Sequence, residues 1–280
     1  MSYAGVVPLG PFDLILPYYS LPTASIEERC EAAVSGGFAG IGIHTSVHAA
    51  AREAGWSDDD LLQILAEAGI PLVQLEAAGS LGSTANATAF DAEIDHCLEL
   101  AEVFGADHVQ VVVTAGDPDD QARRLATAAD RAAVAGVRVG VEFIPTVSTL
   151  EDAAAALAFV GRVDRANVGL VVDTYHHFRG SGDWAQLERI PGPQIVGIQV
   201  SDASIPPIAA EYRTDTMHHR LPPGAGDFDL IRFVRTMDAI GAAVPWSVEV
   251  LSDDLAGRAP VDVGRVLGDA TRAVLDKARS

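Results

Sequence analysis

The chain has 280 residues, 49 % of them hydrophobic, enough for one sizeable core and close to the ~250 residues of an eight-unit strand–helix barrel. Asp and Glu number 39 against 19 Lys plus Arg, for a formal net charge of −20. Such a surface repels nucleic-acid phosphates and anionic membranes, so neither is expected as a partner.

No apolar run reaches the ~20 residues of a bilayer-spanning helix. Residues 1–17 hold no Lys or Arg and are broken by Pro and Gly. They read as a lead into a first strand rather than a signal peptide, and a cytoplasmic protein is expected.

Short Val-, Ile- and Leu-rich runs alternate with longer Ala-rich segments whose apolar residues recur at three- and four-residue steps. In chain order, a strand at Leu14–Leu16 precedes a helix at Ser25–Gly36, and a strand at Gly40–Ile43 precedes a helix at Asp58–Ala68. Strand Leu72–Glu76 leads to helix Ala89–Phe104, and strand His108–Val113 to helix Asp117–Ala135. Strand Val137–Glu142 leads to helix Thr149–Val160, and strand Val168–Val172 to a short helix at Asp183–Glu188. Strand Ile195–Val200 is followed by helix Asp227–Ile240, and strand Trp246–Val250 by helix Val261–Ala278.

Local chemistry supports these ends. Ser57 before Asp58, Asp59 and Asp60 is a helix N-cap with an acidic first turn. Gly69, Gly105 and Gly136 each stand between a helix and a strand, where a left-handed cap belongs. Eight such units predict a single-domain, closed (β/α)₈ barrel over residues 1–280. An open doubly wound sheet is the alternative, but no GxGxxG opens the first unit. The stretch Ser201–Gly226, with four prolines and the cluster His218, His219, Arg220, is long enough to be a binding loop or lid.

Two residue types narrow the chemistry. The only lysine is Lys277, next to the C-terminus and expected in solvent, so a Schiff base on a buried barrel lysine is excluded. Cys30 and Cys97 fall in predicted helices and read as small buried hydrophobes rather than a disulfide or a metal site.

Four strands end in a polar residue where an apolar one would be expected: Glu142, Asp173, Gln199 and Glu249. Side chains alternate along a strand, so each can point into the barrel mouth. Taken singly, an acid at a strand end is more often a helix cap or an ion-pair partner than a ligand. Three carboxylates converging on one pocket cannot all stay ionised without a counter-ion. One divalent cation resolves the conflict, and an oxygen-rich set ranks Mn²⁺, Mg²⁺ or Co²⁺ ahead of Zn²⁺.

The passages VGVEF (139–143), VVDTYHHFRGSGDW (171–184), IVGIQVSDA (195–203), HRLPPGAGDFDL (219–230) and WSVEVLSD (246–253) resemble the xylose isomerase-like TIM barrel superfamily, in particular its sugar phosphate isomerase/epimerase members. A weaker likeness at GGFAGIGIH (36–44) extends the resemblance through the chain. It implies metal ligation by Glu142, Asp173, Gln199 and Glu249. It also implies an acid/base pair of Glu142 and Glu249, and places His176 beside the substrate. The implied activity is isomerisation or epimerisation of a ketose or keto-sugar through an enediolate, which a metal on the ketone and its neighbouring hydroxyl would stabilise.

Two departures bear on that reading. Gln199 stands where many epimerases of the family have histidine, whereas members resembling 3-dehydroshikimate dehydratase have glutamine. Ala225 stands in PPGAGDF where the family often has Glu. The first keeps a metal-dependent dehydratase of a keto-cyclitol, keto-sugar or dehydroshikimate-like substrate as the alternative. No arginine ends strands two to four to clamp a carboxylate, which favours a neutral substrate. Xylose isomerases proper use two metals and a strand lysine, which is missing here. An abasic-site endonuclease of the same barrel would need more histidines and a basic face.

Further polar positions stay open. His44 either touches substrate or caps and packs, and Gln110 and Glu76 face inward or outward according to register. His218 and Arg220 either close over a bound sugar or belong to a solvated loop. Arg179 meets an anionic substrate group or pairs with Asp183. The expected partner is a small sugar-like molecule, with a homo-oligomer also possible for barrels that pair through surface helices.

Overall fold

A computed structural model describes residues 9–76, 80–82, 85 and 87–280. Eight parallel strands close into a barrel: β1 (Leu14–Leu16), β2 (Gly40–His44), β3 (Leu72–Glu76), β4 (His108–Val112), β5 (Arg138–Glu142), β6 (Val168–Asp173), β7 (Ile195–Val200) and β8 (Trp246–Val248). β8 pairs back onto β1 through Leu14–Trp246 and Ile15–Ser247, which excludes the open sheet. The strands are short and buried along almost their whole length, as parallel strands sheathed by helices must be.

The helices α1 (Ile26–Gly36), α3 (Asp58–Ala68), α4 (Ala87–Phe104), α5 (Pro118–Val134), α6 (Ala153–Val163), α8 (Trp184–Leu187), α10 (Leu230–Ala239) and α11 (Pro260–Arg279) correspond to the eight expected from periodicity. Their starts are written locally: Ser25 with Glu28 and Ser57 with Asp60 form capping boxes, and Asp117 and Asp152 cap α5 and α6. Gly69, Gly105 and Gly136 all adopt positive φ, as their helix-to-strand positions predicted. α1 and α11 cross at backbone contact, for a Cβ on Gly264 would stand 2.1 Å from the Ala32 carbonyl oxygen.

Among the described residues three α-helices were not anticipated. α2 (Thr45–Glu53) and α7 (Thr174–Arg179) begin directly at the ends of β2 and β6, so no turn residue announces them. The stretch 201–226, expected as irregular, contains α9 (Tyr212–His218), which is capped by Glu211. At seven residues it is too short to display two turns of apolar periodicity. β8 stops at Val248, so Glu249 lies one residue beyond its strand, with its N–H still donating to Val200 O.

Inside the barrel, alternate residues of β3 and β4 turn polar groups inward: Gln74 and Glu76, then His108 and Gln110, all buried. Glycines make the room. A Cβ on Gly42 would press on the Gln74 carboxamide at 3.2 Å. Among the described residues no helix is long and apolar enough to cross a membrane. Cys30 and Cys97 are free and buried, and Lys277 is exposed, as expected.

Candidate active site

The C-terminal ends of the later strands bring the predicted tetrad together as a buried polar cluster. Glu142 closes β5, Asp173 closes β6, Gln199 lies on β7 and Glu249 follows β8; all four are buried. Asp173 Oδ1 accepts from the Tyr175 N–H at 2.6 Å and so caps α7, which leaves Oδ2 for the site. Glu142 Oε1, Asp173 Oδ2 and His176 Nε2 are mutually close. The imidazole nitrogen is 3.1 Å from Glu142 and 3.6 Å from Asp173. One ligand atom from each of these three residues lies within 4.8 Å of the others, compact enough to surround an ion.

Arg220 is the cation of the cluster. Its Nη1 donates to Asp173 Oδ2 at 2.7 Å and to Glu249 Oε2 at 3.1 Å, and its Nε and Nη2 bind the Thr216 carbonyl and hydroxyl. The guanidinium also stacks over Tyr175, 4.6 Å from the ring centroid. Burial works against its charge, yet Asp173 and Glu249 outweigh burial and hold its pKa above the ordinary arginine value. The solvated-loop reading of Arg220 is therefore wrong. His218 differs: it is half exposed and pairs with Asp253 at 2.9 Å, in contact with none of the tetrad.

Glu76 settles inward. Its Oε1 accepts from Tyr18 N–H at 3.2 Å and Gln74 Nε2 at 3.0 Å, while its Oε2 is buried without a partner. Burial pushes its pKa up to about 7, and burial likewise raises Glu249 well above the carboxylate range. Arg29, fully buried on α1, lies within electrostatic reach of Glu76 and donates to the Tyr18 and Leu21 carbonyls.

Four buried carboxyl groups thus face two buried guanidiniums, and burial draws two of the acids, Glu76 and Glu249, toward their protonated forms, so full ionisation of the set calls for a further cation. No other cation is hidden, because all nineteen Arg and Lys side chains fall among the described residues. A second sign points the same way. Gln199 Nε2 donates to Glu249 Oε1 at 2.7 Å and to Gln110 Oε1 at 3.3 Å, while Gln199 Oε1 is buried with no partner. An orphaned carbonyl oxygen beside surplus carboxylates suits a hard divalent ion.

His44 caps α2, with Nδ1 accepting from the Ser46 N–H and its ring 5.1 Å from that of Tyr18; burial lowers its pKa. Gln110 faces inward but engages Gln199 and His108. Arg179 pairs with Asp215 at 3.0 Å and not with Asp183, because α9 folds back over α7. Sequence reasoning missed Tyr212, whose hydroxyl lies 2.5 Å from His176 Nδ1, and Asp215, which accepts from the Tyr175 hydroxyl and the Ile208 and Ala209 N–H groups. The only sequence signal for α9 was the acidic cap Glu211.

A family model described as xylose isomerase-like TIM barrel matches residues 30–270. Among curated proteins, a 3-dehydroshikimate dehydratase of Pseudomonas aeruginosa is 34 % identical over 160 residues, 55 % of this chain and 25 % of that protein. An inosose isomerase of Bacillus subtilis is 32 % identical over 119 residues, 41 % of this chain and 40 % of that protein. The matched stretches thus span a quarter to two fifths of these two relatives. Among solved structures, the IOLI protein with a binding zinc atom superposes with a TM-score of 0.85 at 22 % identity, covering 95 % of this chain and 99 % of that one. An L-ribulose 3-epimerase superposes with a TM-score of 0.75 at 18 % identity, covering 95 % of both chains.

Proposed function

Because the chain belongs to the xylose isomerase-like TIM barrel family, we propose that it is a divalent-metal-dependent isomerase or epimerase of a neutral ketose, keto-sugar or keto-cyclitol. The observation that carries this reading is the excess of buried acid at the barrel mouth, where four carboxyl groups meet two guanidiniums beside the unpartnered Gln199 Oε1. The likeness to enzymes named as isomerases, epimerases and dehydratases supports it.

Glu142, Asp173, Gln199 and Glu249 would hold the metal, Mn²⁺ foremost, with Mg²⁺, Co²⁺ and Zn²⁺ as the other candidates. Zinc gains weight from the zinc atom of the IOLI protein. Once bound, the metal supplies Lewis-acid polarisation of a carbonyl.

The remaining work falls to the chain's own groups. Glu142 and Glu249 reach the site from separate strands, so one can take the proton next to the ketone while the other returns it. Burial raises the pKa of Glu249, the direction that suits a group passing a proton. His176 Nε2 stands 3.1 Å from Glu142 Oε1 while its Nδ1 meets the Tyr212 hydroxyl, so the ring links the Glu142 carboxylate to α9. His176 is the group of this set proposed to meet substrate, with His44 and His218 at the rim, while Arg220 orients Asp173 and Glu249.

A dehydratase is the second reading, favoured by Gln199 and by the identity to the Pseudomonas aeruginosa enzyme. Against a carboxylated substrate stands the state of the buried cations: Arg220 and Arg29 are already engaged by carboxylates or carbonyls. The deciding experiment incubates Mn²⁺-loaded protein with ketoses, keto-cyclitols and dehydroshikimate in D₂O. Deuterium at the carbon next to the ketone supports the isomerase. Loss of water with a new absorbance, aromatic in the case of dehydroshikimate, supports the dehydratase, and neither signal with any substrate counts against both.

A further inference from the structure

A file of buried polar side chains crosses the barrel beneath the site. Gln199 Nε2 donates to Glu249 Oε1 at 2.7 Å and to Gln110 Oε1 at 3.3 Å. Gln110 Nε2 lies 3.4 Å from His108 Nε2. His108 Nδ1 lies 3.6 Å from Oδ2 of Asp107, whose side chain is 67 % exposed at the N-terminal end of β4. His108, Gln110 and Gln199 are all buried. Gly197 borders the file, its Cβ position lying 3.6 Å from both His108 Nε2 and Gln110 Nε2, an ordinary contact distance.

The file has one self-consistent polarity. Asp107, an ionised carboxylate 3.6 Å from His108 Nδ1, favours the ring proton on that nitrogen electrostatically, and the His108 contact is the largest cause holding Asp107 below the usual carboxylate pKa. A neutral imidazole protonated at Nδ1 accepts at Nε2. Gln110 must then turn its NH₂ toward His108 and its carbonyl toward Gln199. Gln199 meets acceptors at Gln110 and Glu249, so its NH₂ is consumed and its oxygen is left over. That oxygen is the buried atom without a partner.

The direction matters because a glutamine offers a donor and an acceptor of nearly the same size. Rotated by half a turn, Gln199 would present an NH₂ group to a cation and lose coordination. We propose that Asp107, His108 and Gln110 are positioning residues that hold Gln199 with its carboxamide oxygen, not its nitrogen, toward the bound metal. The inference rests on the metal reading above. It reassigns Gln110 from substrate contact to ligand orientation.

Two measurements test it. The ¹⁵N NMR pattern of His108 in metal-free protein is expected to be that of the neutral Nδ1–H tautomer; an Nε2–H tautomer overturns the polarity outright. Mn²⁺ affinity by isothermal titration is expected to fall about 10–100-fold in Gln110→Met and His108→Leu, the range for lost outer-shell partners. In a Gln199→His background, Gln110→Met should change Mn²⁺ affinity less than about 3-fold, because an imidazole ligand has no oxygen to orient. Loss in that background as well would mark Gln110 as merely structural and sink the inference. Wild type that binds Mn²⁺ equally well with and without Gln110 also overturns it. Wild type that binds no divalent metal overturns the proposed function instead, and the metal role of the file falls with it.

Discussion

Arg220 and Asp173 meet at 2.7 Å, a guanidinium N–H on a carboxylate oxygen, with both side chains sealed from solvent. The same nitrogen reaches Glu249 at 3.1 Å, so one arginine neutralises carboxylates from two strands that are not neighbours in the barrel. Taking away one partner of a buried ion pair leaves the other uncompensated.

Arg220→Met should therefore destabilise the metal-free protein by about 3–5 kcal/mol, measured by urea denaturation. Added Mn²⁺ should raise the melting temperature of the variant more than that of wild type, because the cation then relieves the stranded carboxylates. A loss below about 1 kcal/mol, the value of a surface pair, would contradict this account.

Asp173→Asn separates two roles of one side chain. Asparagine caps a helix as well as aspartate does, so α7 and the far-UV circular dichroism should be retained. Bound divalent metal should fall from about one per chain to near zero by mass spectrometry, as removal of a charged oxygen ligand predicts. Full metal retention in the variant would refute the ligand role of Asp173.

His177 supplies a pH dependence away from the tetrad. Its ring sits among Phe178, Trp184 and Phe233, its Nε2 is buried without a partner, and burial pushes its pKa from 6.5 to about 4. Between those values the unfolded chain takes up a proton that the folded one refuses. Stability from this group is complete above about pH 6.5 and is lost as the pH falls toward 4. Wild type should lose about 2 kcal/mol from this source between pH 7 and pH 5. His177→Phe should lack that component in denaturation curves at the two pH values; parallel losses in both proteins would exclude it.

Gly264 tests helix packing. A glycine-to-alanine change inside a helix normally stabilises by roughly 0.5–1 kcal/mol. Here the added Cβ would stand 2.1 Å from the Ala32 carbonyl oxygen, a rigid backbone atom. Gly264→Ala should therefore destabilise by about 1–3 kcal/mol, the cost of overpacking, and a raised melting temperature would show that α1 and α11 can part without penalty.

Much of this molecule is legible in one dimension. Ser57 and Asp117 start their helices, and Gly69, Gly105 and Gly136 stop theirs, through contacts within four residues, whereas α6 begins after its cap Asp152 and not at the expected Thr149. Eight alternations of strand and helix then leave a closed barrel as the favoured architecture. Glu142, Asp173, Gln199 and Glu249 could be picked out because a polar side chain ending an apolar strand is anomalous at that position alone.

What escaped the sequence depended on contacts between distant segments. Arg220 reads as one residue of a long polar loop until α9 packs beside α7 and carries it to Asp173, 47 residues away. Tyr212 reaches His176, and Asp215 captures Arg179, by the same folding of that loop. Glu76 and Gln110 face inward by strand register, which a single-residue slip would reverse and only barrel closure decides. Composition and periodicity determined that acids would gather at one end of a barrel. Only the tertiary structure decided which cations offset them and which oxygen remained free, because charge balance and hydrogen-bond direction are properties of neighbours in space.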